Sequence, residues 1–324
     1  MTRSPERRAI DTHTRLPDFF IVGHSKSGTT AMYQMLGSHP QIYMPAFKEP
    51  TYFAADLRPR RKQRIPEPET LQDYLQLFAP AAAGQLLGDA SSLYLYSHEA
   101  AGAIAGVAPQ AKIIAILREP ASFLWSLHLQ LVQNRLEDQR DLGRALALEP
   151  ERRRGRRIPR SCYRPQALLY SERVRYTEQL RRYDEQFASE QMRVLIYDDF
   201  RADNDGTMRS VLRFLGVDEH VPLVTSEANP SVAVRSLRLD ALRHRLGGGA
   251  NAPPSMEGRG SQRVRARARR LLGRSGRRIL YRSPPTPPEA LMQELRRRFL
   301  PEVVELGEYL DRDLVTLWGY DGLE

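Results

Sequence analysis

DFFIVGHSKSGTT, residues 18–30, decides how this chain folds. Phe19-Phe20-Ile21-Val22 is a continuous apolar run, which predicts a buried strand. Gly23 ends the run and opens a short loop. Thr29-Thr30-Ala31-Met32 then begins a helical pattern that Gly37, Ser38, His39 and Pro40 stop. Strand, loop and helix start in that order make an anion cradle, because free N–H groups and the helix dipole meet at the helix N-terminus. Lys26 adds a positive charge, and Ser27, Thr29 and Thr30 add hydroxyl donors around Gly28. The chemistry points to a phosphate or sulfate group.

Outward from this stretch, Ala111–Leu117 and Met192–Ile196 give two further buried-strand signals. Between Gln85 and Tyr96 a short strand with a loop at Gly88-Asp89 is expected. Helices are expected at 71–78, at 98–107, from Pro120 to about 135, at 138–148 and at 204–215, where Gly216 stops the last. A long helix is expected within 163–187, and a helical pair at 289–310. Strand alternating with helix predicts an α/β fold, a P-loop-type central parallel β-sheet flanked by helices. The expected organisation is a mobile arm, 1–17, and one domain, 18–324. A flexible, basic insertion at about 240–285 holds a Gly/Pro linker, 247–262, and a basic helix, 263–274.

The 324 residues carry a net charge of +10, almost all of the basic charge arginine, since Lys occurs only at 26, 48, 62 and 112. No recognition module with interleaved aromatics accompanies it, so nucleic acid is not expected as a partner. Cys162 is the single cysteine, which excludes an intramolecular disulfide and a Cys-based zinc site. No apolar run approaches membrane-spanning length, and the N-terminus lacks a signal-peptide core. A cytoplasmic, bacterial enzyme is expected, its oligomeric state open and a homodimer among the options.

The P-loop of nucleotide triphosphatases reads G-x-x-x-x-G-K-[ST]. Gly23 and Gly28 match, but Thr29 follows Gly28, and Lys26 lies two residues before it. The lysine is misplaced for a triphosphate. Tyr197-Asp198-Asp199 after a strand resembles a Walker B acid and keeps a kinase or NTPase, using ATP with magnesium, as the alternative.

The K-S-G-T-T order resembles the 5′-phosphosulfate loop of sulfotransferases that use 3′-phosphoadenosine 5′-phosphosulfate (PAPS). Arg118-Glu119-Pro120, with Ser126 eight residues after the arginine, resembles that family's 3′-phosphate site. Lys48-Glu49-Pro50-Thr51-Tyr52-Phe53 resembles the K-E-x-x-F/Y-F segment of heparan-sulfate-type and bacterial small-molecule sulfotransferases, and Tyr170–Gly216 resembles the family's middle region. The resemblance implies that Glu49 is the general base, that Lys26 neutralises the leaving group and that Lys48 assists. It implies that Lys26, Ser27, Gly28, Thr29, Thr30, Arg118 and Ser126 bind PAPS and that no metal is needed. Gly276-Arg277-Arg278 is the nearest candidate for the family's C-terminal nucleotide loop, which implies a cofactor role for Arg277. The acceptor implied is a hydroxyl of a small molecule, glycolipid or specialised metabolite. Related carbohydrate sulfotransferases carry a lysine in an E-K-x-P-x-Y context, and the equivalent stretch here, Asp89-Ala90-Ser91-Ser92-Leu93-Tyr94, lacks it, which argues against a glycosaminoglycan.

The plainer readings are also open. Lys26 as a solvated loop residue is outweighed by its K-S-G-T-T context. His24 either touches a sulfonate oxygen or faces solvent. His128 is expected on a helix surface, Asp198-Asp199 in a strand-end turn, and Trp125, Tyr94 and Tyr96 in the core.

Overall fold

The apolar run at 19–22 becomes the central strand of a parallel sheet. In a computed structural model, which describes residues 15–59, 67–224, 233–234, 281–282 and 285–323, β1 is Phe19–Gly23 and every residue of it is buried. The other strands are β2 (Ile42–Tyr43), β3 (Leu86–Ala90), β4 (Lys112–Leu117) and β5 (Met192–Ile196), in the order β2-β3-β1-β4-β5. All four pairings are parallel, with Phe20 beside Asp89 and Ile113. The chain builds β2 and β3 on one side of β1, then crosses to build β4 and β5 on the other. Ligands of open α/β sheets bind beyond the carboxyl ends of the strands at such a reversal.

The helices are α1 (Thr29–Gly37), α2 (Leu71–Gln76), α3 (Ala100–Val107), α4 (Pro120–Gln133), α5 (Leu142–Ala147), α6 (Glu149–Arg153), α7 (Tyr176–Asp184), α8 (Tyr197–Ala202), α9 (Asn204–Leu215), α10 (Glu289–Leu310) and α11 (Leu314–Trp318). Two short strands, β6 (Ala233–Val234) and β7 (Tyr281–Arg282), pair antiparallel. The chain divides into two compact units, residues 1–123, 171–229 and 296–324 in the first, and 124–170 and 230–295 in the second. The five-stranded sheet lies in the first. Its strands alternate sides. Phe19 and Ile21 pack into one cluster with Met32, Met35 and Leu36 of α1 and Met208, Val211 and Leu212 of α9. Phe20 meets the rings of Phe53 and Tyr94 at 5.8 and 6.3 Å on the opposite side. In the second unit, Arg152 pairs with Glu137 at 2.8 Å with both side chains fully buried.

Three expectations are corrected. β3 runs straight through Gly88-Asp89, with no loop there. A Cβ on Gly88 would lie 2.2 Å from Phe19 Cζ and 2.4 Å from Met44 Sδ, so the glycine makes room for ring packing rather than for a turn. The long helix within 163–187 is only α7; Pro165 and Ser171 each open a 3-10 turn, and the irregular chain buries Tyr170 and Arg173. The pair at 289–310 is one helix, α10, running through Pro301. Its buried stripe, Leu295, Phe299, Val303 and Leu306, keeps helical spacing across the proline. The stop at Gly216 is as expected, with φ 82°. Residues 1–14 of the arm, the linker, the basic helix and Arg277 lie outside the described residues.

Filling the space beside Phe19 must push the ring or the strand aside. We expect Gly88→Ala to destabilise the protein by about 1–3 kcal/mol in equilibrium urea denaturation.

Candidate functional site

The loop from β1 to α1 is shaped by Gly28, whose φ of 89° is left-handed, a conformation only glycine adopts freely. A Cβ there would also sit 3.0 Å from the Phe200 ring. Gly28 caps α1 with no side-chain hydrogen bond, which leaves the first N–H groups of the helix to a ligand. Ser27 is fully buried, and its Oγ has no hydrogen-bond partner among the described residues. Lys26 is a non-glycine residue at φ 65°, held in a sparsely populated conformation. Burial, and then the charge of Arg118, push its ammonium below the usual lysine range. No carboxylate among the described residues pairs with it. A cradle of N–H groups, an orphaned hydroxyl and crowded cations fits a doubly anionic phosphate or phosphosulfate.

Arg118 follows β4 directly. Its NH1 donates to the Lys26 carbonyl at 3.0 Å and its Nε to Ser122 Oγ at 3.0 Å. The guanidinium lies 4.9 Å from the Tyr197 ring centroid, a cation–π contact. Glu119 accepts from the Ala121 and Ser122 N–H groups at the start of α4. Tyr320 donates to the same carboxylate at 2.7 Å. Ser126 is buried on α4.

Lys48 and Glu49 lie in the loop after β2. Lys48 Nζ is 2.6 Å from Glu49 Oε1, the ion pair that a plain surface carboxylate would also make. Ser92, in the turn after β3, donates to the same oxygen at 3.2 Å. Through Ser92 the carboxylate is tied to the carboxyl end of the sheet, the edge from which the Lys26 loop and Arg118 emerge. The Glu49 side chain keeps 38% of its exposure, enough to meet an incoming molecule.

His24 neither faces solvent nor shows any exposed surface. Gln179 Nε2 donates to the Glu172 carbonyl at 2.8 Å, which turns the amide oxygen toward His24. His24 therefore donates from Nε2 at 2.8 Å, and its buried Nδ1 is left as an acceptor without a partner among the described residues. Burial, with Arg173 adding to it, pushes the imidazole down to about 3, so the ring is neutral. Arg173, over the Tyr96 ring at 4.4 Å and near Ser25 Oγ at 3.4 Å, is a third cation at this loop. His128 is buried too, against expectation, between Tyr170 and the Arg140 carbonyl.

Asp198-Asp199 open α8 and are engaged by the chain's own C-terminal segment. Arg312 holds Asp199 at 2.5 and 2.7 Å, and Trp318 Nε1 donates to Asp198 at 3.0 Å. That pairing takes the carboxylates away from a Walker B role. Among the described residues no group of three or more His, Cys, Asp or Glu is arranged to hold a metal ion. No helix of the described residues is long and apolar enough to cross a membrane. Sequence reasoning missed Arg173, Gln179, Ser92 and the role of Tyr197. Only Tyr197 and Ser92 carried a signal, by following strands of a parallel sheet.

Residues 17–220 match the family model described as "Sulfotransferase family". A sulfotransferase from Alicyclobacillus acidocaldarius has a similar fold, with a TM-score of 0.67 over 94% of this chain and 99% of that one, at 24% identity. Mouse carbohydrate sulfotransferase 15 is 30% identical over 155 residues, 35% of this chain and 27% of that protein. Human bifunctional heparan sulfate N-deacetylase/N-sulfotransferase 3 is 31% identical over 121 residues, 36% of this chain and 13% of that protein. The chain thus matches only about a quarter of the first relative's length and less of the second's.

A histidine neutral in the fold and basic when unfolded makes stability depend on pH. With a folded value of about 3 against 6.5, the contribution is fully present above pH 6.5 and is lost as pH falls toward 3. It amounts to about 5 kcal/mol over that window. We expect the stability advantage of the wild type over His24→Gln to shrink by that order between pH 6.5 and 3 in denaturant titrations.

Proposed function

The chain belongs to the sulfotransferase family, and we propose that it moves the sulfuryl group of PAPS to a hydroxyl of a small molecule, glycolipid or specialised metabolite. The observation that carries this reading is the meeting of Lys26, Arg118 and an uncapped helix start around the unpartnered Ser27 hydroxyl. The site's charge suits a ligand with anionic groups at both ends of a nucleoside. The Lys26 loop takes one end and Arg118 takes the 3′-phosphate.

When bound, PAPS supplies an electrophilic sulfur with adenosine 3′,5′-bisphosphate as leaving group. Glu49 accepts the acceptor's hydroxyl proton as the new S–O bond forms. Lys26 neutralises the charge that develops on the departing oxygen as the old S–O bond breaks. N–H groups from Ser27 to Thr30 hold the 5′-phosphate. Lys48 orients the Glu49 carboxylate through their ion pair. No step requires a metal, because the cations and the helix end furnish the positive field. Aligning donor and acceptor accounts for much of the rate, as in other in-line group transfers.

We expect adenosine 3′,5′-bisphosphate at 100 times its Kd to stabilise the protein by about 2.7 kcal/mol in thermal shift. Stabilisation by ATP with magnesium alone would overturn the assignment. With labelled PAPS and a panel of phenols, sugars and hydroxylated lipids, we expect Lys26→Ala to lower kcat about 10²- to 10³-fold. Glu49→Gln should bind adenosine 3′,5′-bisphosphate normally and lose turnover. Full turnover in that variant would remove Glu49 from the role of base.

A further inference from the structure

We propose that Ser92 and Ser91 are positioning residues for Glu49: Ser92 holds it by its Oε1 and so leaves Oε2 as the proton-accepting atom, while Ser91, anchored on Asp89, fixes the loop that carries it. The inference rests on the reading of Glu49 as the base.

The loop that carries Glu49 cannot hold its own shape. Glu49 has φ 57° and Thr51 has φ 51°, both left-handed and neither a glycine. Such residues persist only where their surroundings fix them. Pro50, between them, has no N–H to give. The fixing bond comes from the turn after β3, where the Thr51 N–H donates to Ser91 Oγ at 3.1 Å. Ser91 in turn donates to Asp89 Oδ1 at 2.8 Å. The other oxygen of Asp89 accepts from Tyr74 at 2.8 Å and Tyr94 at 2.9 Å. Asp89 and Ser91 have no exposed surface, and Ser92 almost none. Burial, with the charge of Glu49 adding to it, pushes the Asp89 carboxyl up to about 6, against the three hydroxyls that pull it down. A buried carboxylate with three donors is a rigid anchor.

The carboxylate of Glu49 is gripped on one side only. Ser92 Oγ at 3.2 Å and Lys48 Nζ at 2.6 Å both donate to Oε1. Oε2 has no hydrogen bond among the described residues. Two donors on one oxygen leave the electron pairs of the other for an acceptor hydroxyl. Among the described residues, Lys48 of its own loop touches Glu49 and Asp89 of β3 senses its charge. The former steadies the carboxylate and the latter repels it, so the neutral Ser92 hydroxyl orients it without altering the net charge.

The test compares Ser92→Ala, Ser91→Ala and Ser92→Thr, which keeps the hydroxyl. Release of adenosine 3′,5′-bisphosphate from labelled PAPS is followed with a panel of phenols and sugars, water serving as the slow acceptor. We expect Ser92→Ala to lower kcat about 10- to 100-fold, the range for losing a hydrogen bond to a charged group. KM for PAPS should not change, and Ser92→Thr should restore most of the loss. The infrared difference between each protein and its Glu49→Gln counterpart reports the Glu49 carboxylate with no acceptor needed. Its antisymmetric stretch should shift in Ser92→Ala and return in Ser92→Thr. An unchanged band with an unchanged kcat overturns the positioning role while leaving Glu49 as base. Full turnover by Glu49→Gln overturns the base itself, a separate result. Should Ser91→Ala fail to fold, the Ser92 variants decide alone.

Discussion

Arg118 donating to the main-chain carbonyl of Lys26 is the contact on which the anion site depends. It joins the end of β4 to the loop after β1, and it brings two cations close enough for one to depress the other's pKa. Like charges held together in a half-buried place cost free energy. An arriving anion relieves that cost, and so the arrangement favours binding. The Tyr197 ring on the face of the guanidinium, and Ser122 on its edge, fix the arginine before any ligand comes. A fixed guanidinium loses little freedom on binding phosphate.

The same region is braced from the far end of the chain. Arg312 and Trp318 hold the two acids that start α8, the helix that presents Tyr197 and Phe200. Tyr320 holds Glu119, which caps α4 just after Arg118. Residues more than a hundred positions away thus fix the two side chains that shape the cradle. Asp89 anchors the opposite side, and its buried charge has a cost. Its raised pKa contributes stability below about pH 4 that is lost as pH rises through 6, the reverse of His24.

Much of the framework was legible. The runs at 19–22, 111–117 and 192–196 became β1, β4 and β5, because buried parallel strands are apolar throughout and little else looks like that. Gly28 and Gly216 took the left-handed φ that a loop before a helix and a stop after one require. The break at Gly88-Asp89 was misread, because glycine ordinarily punctuates and here it clears space for a ring. Of the two readings of His24, the solvent-facing one failed because burial of a loop residue depends on what packs over the loop, and Phe123, Tyr176 and Gln179 come from distant segments.

By itself the sequence determined the order of strand, cradle and helix, the placement of Lys26 away from the triphosphate position, and the family to which the chain belongs. These rest on local rules of periodicity, backbone freedom and charge, which act between near neighbours in the chain. Only the tertiary structure decided which nitrogen of His24 carries the proton, which acids are already paired and which oxygen of Glu49 is held. Hydrogen bonds are short and directional. Many of their partners are distant in the chain, 43 residues apart for Ser92 and Glu49 and 155 for Gln179 and His24, where only the finished packing aims one group at the other.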